Sequence, residues 1–139
     1  MQKGGYMKSK KILIVDDDKD LLLALRVRLK SRGYATAFAT DASSAIQMTL
    51  EEKPDLILLD LGLPDDNGFI VIDKLKEAGA LASIPVIVVS ARPLDVYKDA
   101  ALLAGAKGYF QKPFDNEDLL RAIQKELAGP VGTAEEVPS

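Results

Sequence analysis

Four places in this 139-residue chain carry residues that could do chemistry together. Asp16, Asp17 and Asp18 follow the apolar run Ile12–Val15, and Asp60 closes DLILLD. Ser90 closes IPVIVVS, and Lys112 closes GYFQK just before Pro113. Clustered acids are costly, because two unit charges about 4 Å apart repel by roughly 4 kcal/mol at an effective dielectric near 20. Asp16, Asp17 and Asp60 packed together would incur that cost more than once. A divalent cation offsets it, since carboxylate oxygens are what Mg²⁺ and Mn²⁺ accept. Lys112 would add positive charge from the other side. The expected site is strained without metal, with at least one carboxyl pKa raised by its like-charged neighbours. Taken singly, each residue has a plainer role. An Asp after a strand can be a turn former or helix N-cap, the role expected for Asp18. Ser90 alone reads as a strand-end hydrogen bonder, and Lys112 alone as a surface lysine. The weight lies in their convergence.

Composition narrows the chemistry. There is no Cys and no His, so thiolate sites, disulfides, imidazole bases and imidazole zinc ligands are all excluded. Net charge is −3, and Lys and Arg form no dense basic run, which argues against direct nucleic-acid binding. No apolar run approaches a membrane span, and MQKGGYMKSK is not followed by an apolar core of signal-peptide length. A soluble cytoplasmic protein is expected. Met7 is a second candidate start, and residues 1–9 read as a flexible extension.

The elements that must position these groups alternate. Apolar runs at 11–15, 34–39, 55–60, 84–90 and 108–112 read as strands. Three are almost continuously apolar, as strands of a parallel sheet covered on both faces are. Helical periodicity fills the intervals. Residues 18–32 carry Leu22, Leu25 and Leu29, widened by Leu21 and Leu23, and end at Gly33. Residues 41–52 open on Asp41 and carry Ala45, Ile46 and Leu50. Residues 68–78 end at Gly79, 94–104 end at Gly105, and 115–128 open on Asp115. Five strand–helix repeats with right-handed crossovers predict a three-layer α/β/α sandwich. In such a sheet, ligands bind at the carboxyl ends of the strands, where all four chemical groups fall. After Leu127 the chain turns to AGPVGTAEEVPS, which reads as a flexible tail or linker over 129–139.

KILIVDDD, DLILLDLGLPDDNG, IPVIVVSA and GYFQKPF, in this order and spacing, resemble the receiver (CheY-like) domain of bacterial two-component response regulators. The resemblance covers residues 10–128. It implies a flavodoxin-like (βα)5 fold with strand order 2-1-3-4-5. It implies that Asp60 is the phosphoacceptor, that Asp17 is a direct Mg²⁺ ligand, and that Asp16 holds the ion through water. Gly62 corresponds to the residue that ligates Mg²⁺ through its backbone carbonyl. Ser90 corresponds to the hydroxyl that turns toward the phosphoryl group, and Lys112 to the lysine that pairs with it. Tyr109 corresponds to the aromatic switch that rotates inward; alone it reads as half-buried core with a wet hydroxyl. The Lys112–Pro113 bond corresponds to the family's cis peptide.

The resemblance implies partners too: a sensor histidine kinase or phosphotransfer protein upstream, and a downstream protein or an output domain outside this chain. A phosphorylation-dependent homodimer through the fourth helix, fifth strand and fifth helix is left open, as is whether the chain is a whole protein or a fragment. Gly62 and Arg92 flank the approach to the phosphoacceptor and are expected to set the lifetime of the phosphorylated state, although Arg92 is expected to point into solvent. Asp65 and Asp66 read as solvated turn residues. Two rival readings remain. An aspartate-nucleophile phosphatase would carry a second acid two residues past the nucleophile, where Gly62 stands. A receiver-like docking module would bind partners without phosphorylation.

Overall fold

The computed structural model of the chain describes residues 9–65, 68–80 and 83–136. Ten elements alternate without interruption: β1 (Lys11–Val15), α1 (Lys19–Ser31), β2 (Ala35–Ala39), α2 (Ala42–Glu52), β3 (Leu56–Leu59), α3 (Gly68–Glu77), β4 (Val86–Ser90), α4 (Leu94–Ala104), β5 (Gly108–Gln111) and α5 (Asn116–Glu136). The strands form one parallel sheet in the order β2-β1-β3-β4-β5.

The continuous apolar runs are explained by two cores, one on each face of the sheet. Leu13, Val15, Ile57, Leu59, Val86 and Val88 face the layer of α2, α3 and α4. Their sequence neighbours Ile12, Ile14, Leu56, Leu58, Ile87 and Val89 face α1 and α5. Successive side chains of a strand alternate faces, so a strand covered twice must be apolar throughout.

Helix limits follow the capping chemistry. The Asp18 carboxylate accepts the Asp20 and Leu21 N–H groups at 3.1 and 3.2 Å and starts α1. Asp41 starts α2 and Asp115 starts α5 in the same way. Gly33 and Gly105 end α1 and α4 at φ of +87° and +126°, where a side chain would be strained.

Three sequence expectations shift. Leu23 and Leu50 are exposed and do not widen the buried stripes; on α2, Thr49 is buried in place of Leu50. Thr49 can sit there because its hydroxyl donates to the Ala45 carbonyl one turn back, at 2.7 Å. Finally, helical backbone continues past Ala128 to Glu136, through part of the stretch read as a loose tail. Propagating a nucleated helix adds one bond per residue, although Pro130 forgoes its own. The rest of that stretch, 137–139, and residues 1–8 of the predicted extension lie outside the described residues.

Candidate functional site

Sheet register builds the site. Val15 lies level with Leu59, and the Asp60 N–H donates to the Val15 carbonyl at 2.9 Å. The next residue of each strand is therefore an aspartate, and Asp16 and Asp60 emerge side by side. The Asp16 N–H is fixed in turn by the Ala39 carbonyl of β2. Past Asp60 the chain hooks back into the core through Leu61 and Leu63, both buried. Gly68 then packs so closely that a Cβ there would lie 2.6 Å from the Asp60 carbonyl oxygen.

Asp16, Asp17 and Asp60 each bring one carboxylate oxygen within 4.8 Å of the others. Asp16 and Asp60 are buried and Asp17 is exposed, which gives the cluster one open side. Asp16 Oδ1 accepts the Asp18 N–H at 2.9 Å, and its Oδ2 accepts the Lys112 ammonium at 2.7 Å. The same ammonium stands 3.6 Å from Asp60 Oδ2, and Asp60 Oδ1 accepts the Gly62 N–H at 3.0 Å.

Burial pushes the Asp16 pKa up, the Lys112 and Asp18 hydrogen bonds pull it back, and the Asp60 charge adds a smaller upward push. The raised carboxyl is therefore found, but its main cause is burial and not the like-charged neighbours to which the sequence pattern pointed. Burial works against the charge of Lys112, yet its Asp16 bond and the negative charges of Asp60 and Asp16 raise its pKa. Lys112 thus stays cationic and offsets one of three negative charges. The remaining excess, on hard oxygen donors with an open side, fits a divalent ion such as Mg²⁺.

Ser90 ends β4 fully buried, and its Oγ accepts the Arg92 N–H at 3.2 Å. The Tyr109 ring is already inside, and its hydroxyl donates to the Arg92 carbonyl at 2.9 Å. Burial raises the phenol pKa, opposed by the nearby Ser90 hydroxyl and the Arg92 charge. The ring is thus buried, not half-buried, and the hydroxyl is bonded, not wet. Arg92 also departs from expectation. It is half-buried, with its guanidinium 5.4 Å from the centre of the Tyr97 ring, a cation–π contact. A Cβ on Gly62 would sit 3.8 Å from Asp60 Oδ1 and 4.0 Å from Arg92 Nε, so Arg92 borders the acidic cluster across Gly62. The Lys112–Pro113 peptide is cis.

Asp65 is not a free turn residue. Its carboxylate accepts the Ala42 and Ser43 N–H groups at the start of α2. The sequence offered no signal for this, because the partner donors are backbone groups 23 and 22 positions away. Asp66 lies outside the described residues.

The sequence profile of the response regulator receiver domain matches residues 12–124. The transcriptional regulatory protein KdpE of Mycobacterium tuberculosis is 39% identical over 124 residues, which cover 89% of this chain and 54% of that protein. The chain thus spans about half the length of that curated relative. A CheY-like receiver domain protein from Methanospirillum hungatei superposes with a TM-score of 0.80 at 30% identity, covering 87% of this chain and 95% of that one. The receiver domain of a sensor histidine kinase from Pseudomonas aeruginosa, solved with magnesium coordinated in its active-site cleft, gives 0.79 at 25% identity over 88% of this chain and all of that one. Fold and site together define a signalling domain of the two-component type. The chain belongs to the response regulator receiver domain family. Its acidic cluster fits the family's phosphorylation site, and the strand order 2-1-3-4-5 is as expected. Among the described residues, no helix is long and apolar enough to cross a membrane.

Proposed function

We propose that this chain is a phosphorylation switch whose acceptor is Asp60, loaded in a Mg²⁺-dependent reaction by a sensor histidine kinase or phosphotransfer protein. The observation that carries the reading is the convergence of Asp16, Asp17, Asp60 and Lys112 at one sheet edge. An Asp60 carboxylate oxygen attacks the phosphorus of the donor phosphohistidine. The P–N bond breaks, an acyl phosphate P–O bond forms, and the departing imidazole takes up a proton. Asp16, Asp17, Asp60 and the Gly62 carbonyl would hold Mg²⁺, with Mn²⁺ an alternative. When bound, the ion supplies positive charge where phosphoryl oxygens gather. Lys112 already stands next to Asp60 and adds its charge to the same place. Ser90 donates to a phosphoryl oxygen by releasing the Arg92 N–H, which loosens the Arg92 carbonyl that Tyr109 holds. Ser90 and Tyr109 are therefore the switch pair, and the face of α4, β5 and α5 carries the output.

The readout partner is an output domain or a separate protein, and a phosphorylation-dependent homodimer through α4, β5 and α5 belongs to the same reading. The compartment is the cytoplasm. Intact mass after incubation with acetyl phosphate tests the proposal, with and without Mg²⁺, beside Asp60→Asn. A single adduct that needs both Mg²⁺ and Asp60 is expected. No adduct on the native chain would leave the phosphorylation-independent docking module as the better reading.

A further inference from the structure

The first three N–H groups of α2 are served by two carboxylates from different parts of the chain. Asp41 caps the helix, its Oδ1 accepting the Ser44 N–H at 2.8 Å and the Ser44 hydroxyl at 2.6 Å. Asp65 takes the two donors before it, Ala42 N–H at 2.7 Å on Oδ1 and Ser43 N–H at 3.3 Å on Oδ2. One N-cap carboxylate is enough to start a helix. The second serves two donors that Asp41 leaves open, and its location ties α2 to another segment of the chain. Asp65 is five positions past Asp60 on the segment that leaves β3. Leu61 and Leu63 fasten that segment to the core, and Asp65 fastens it to α2. Gly62 lies between these anchors with no side chain of its own to hold it. Its N–H is spent on Asp60 Oδ1, and among the described residues no hydrogen bond holds its carbonyl.

We infer that Asp65 is a positioning residue for the cation site. By docking on the N-terminus of α2 it holds the Asp60–Asp65 segment, and with it the Gly62 carbonyl, in place beside the acidic cluster. The inference rests on the reading of Asp16, Asp17 and Asp60 as a Mg²⁺ site.

Asp41 provides the control, because it caps the same helix and, among the described residues, makes no hydrogen bond to the segment after Asp60. Mg²⁺ alone is titrated into the full chain while the amide resonance of Gly62 is followed, for the native protein, Asp65→Ala, Asp65→Asn and Asp41→Ala. Residues that support a metal ligand from outside its coordination sphere commonly change affinity by 10–100-fold, and a residue acting through backbone belongs at the low end. The expected result for Asp65→Ala is therefore a loss of Mg²⁺ affinity of about ten-fold, partly rescued in Asp65→Asn, which retains one acceptor oxygen. Asp41→Ala should lower the melting temperature and leave Mg²⁺ affinity unchanged. Equal losses of affinity in Asp65→Ala and Asp41→Ala would overturn the inference, as would native affinity in Asp65→Ala. If the native chain binds no Mg²⁺, the functional reading falls, and the clamp is judged on hydrogen exchange of the Gly62 amide. Faster exchange in Asp65→Ala than in Asp41→Ala then supports the clamp, and equal rates overturn it.

Discussion

The Lys112 ammonium meets the Asp16 carboxylate at 2.7 Å, although the two residues are 96 positions apart and two strands separate β1 from β5 in the sheet. The contact ties the two ends of the folded chain together at the reactive edge. It also opposes the rise in pKa that burial imposes on the carboxylate. Removing the lysine strands the carboxylate charge, which costs about 3–5 kcal/mol for fully buried pairs. Lys112 keeps 22% of its side chain exposed, so Lys112→Ala is expected at or below the low end of that range. Urea denaturation measures it, and a shifted midpoint with an unchanged slope is the expected form.

Two glycines beside the acceptor should respond unequally. At Gly68 a Cβ would meet the Asp60 carbonyl oxygen at 2.6 Å and Leu61 Cα at 2.8 Å, and both are backbone atoms that cannot step aside. Gly68→Ala is expected to cost on the order of 2–3 kcal/mol and to weaken Asp60 phosphorylation by moving that backbone. At Gly62 the nearest atoms are 3.8 and 4.0 Å away, ordinary contact distances, and Gly62→Ala should leave stability nearly unchanged. Thermal melts of the two variants side by side decide the matter.

Asp41 makes stability depend on acid. Its pKa is lowered from the usual 3.8 by the Ser44 hydroxyl first and the Ser44 N–H second. A carboxyl with a depressed folded pKa stabilises the fold above its unfolded value, and the contribution disappears as pH falls through the folded value. The native protein and Asp41→Ala should therefore differ by a constant amount at neutral pH. Below the ordinary aspartate range the two curves should converge. Denaturation midpoints followed from neutral to acidic pH would reveal parallel curves if the cap were unimportant.

Arg92 borders the Asp60 carboxylate across Gly62 while resting on Tyr97. A cation–π contact of this kind is worth about 0.5–1 kcal/mol at an exposed site, which corresponds to roughly two- to five-fold in a rate. Arg92→Ala is expected to speed dephosphorylation by about that factor, since the path to the acyl phosphate opens. The half-life of the phosphorylated chain, read by intact mass, checks this; an unchanged half-life would remove Arg92 from the role.

Tyr109 spends its hydroxyl on the Arg92 carbonyl. Tyr109→Phe leaves that acceptor without its partner, and about 1 kcal/mol of stability should be lost. The same variant should uncouple the α4–β5–α5 face from Asp60 while leaving the adduct able to form. Amide shifts on α4 before and after acetyl phosphate would show the uncoupling.

The strand tips were legible in the sequence because each ends an apolar run with a polar residue, and parallel topology gathers such ends on one edge. Asp18, Asp41 and Asp115 were legible as caps for the same local reason. The features that escaped are contacts and burial that no local pattern encodes. Asp65 reaches from a loop to backbone donors on α2, Arg92 finds a ring on α4, and Asp16 owes its raised pKa mainly to burial. Neither periodicity nor a motif encodes the depth of a side chain or the identity of a neighbour across a loop. Thr49 replaced Leu50 in the buried stripe because a hydroxyl bonded within its own helix can go where hydropathy alone would not send it.

The sheet divides the interior into two cores that share strands and no side chains. Substitutions at distant sites without common partners add nearly independently. One hemisphere, with α2, α3 and α4, can therefore accumulate changes that the other, with α1 and α5, does not register. Such a molecule can drift by halves, and its reactive rim is the seam at which each half must still fit the other.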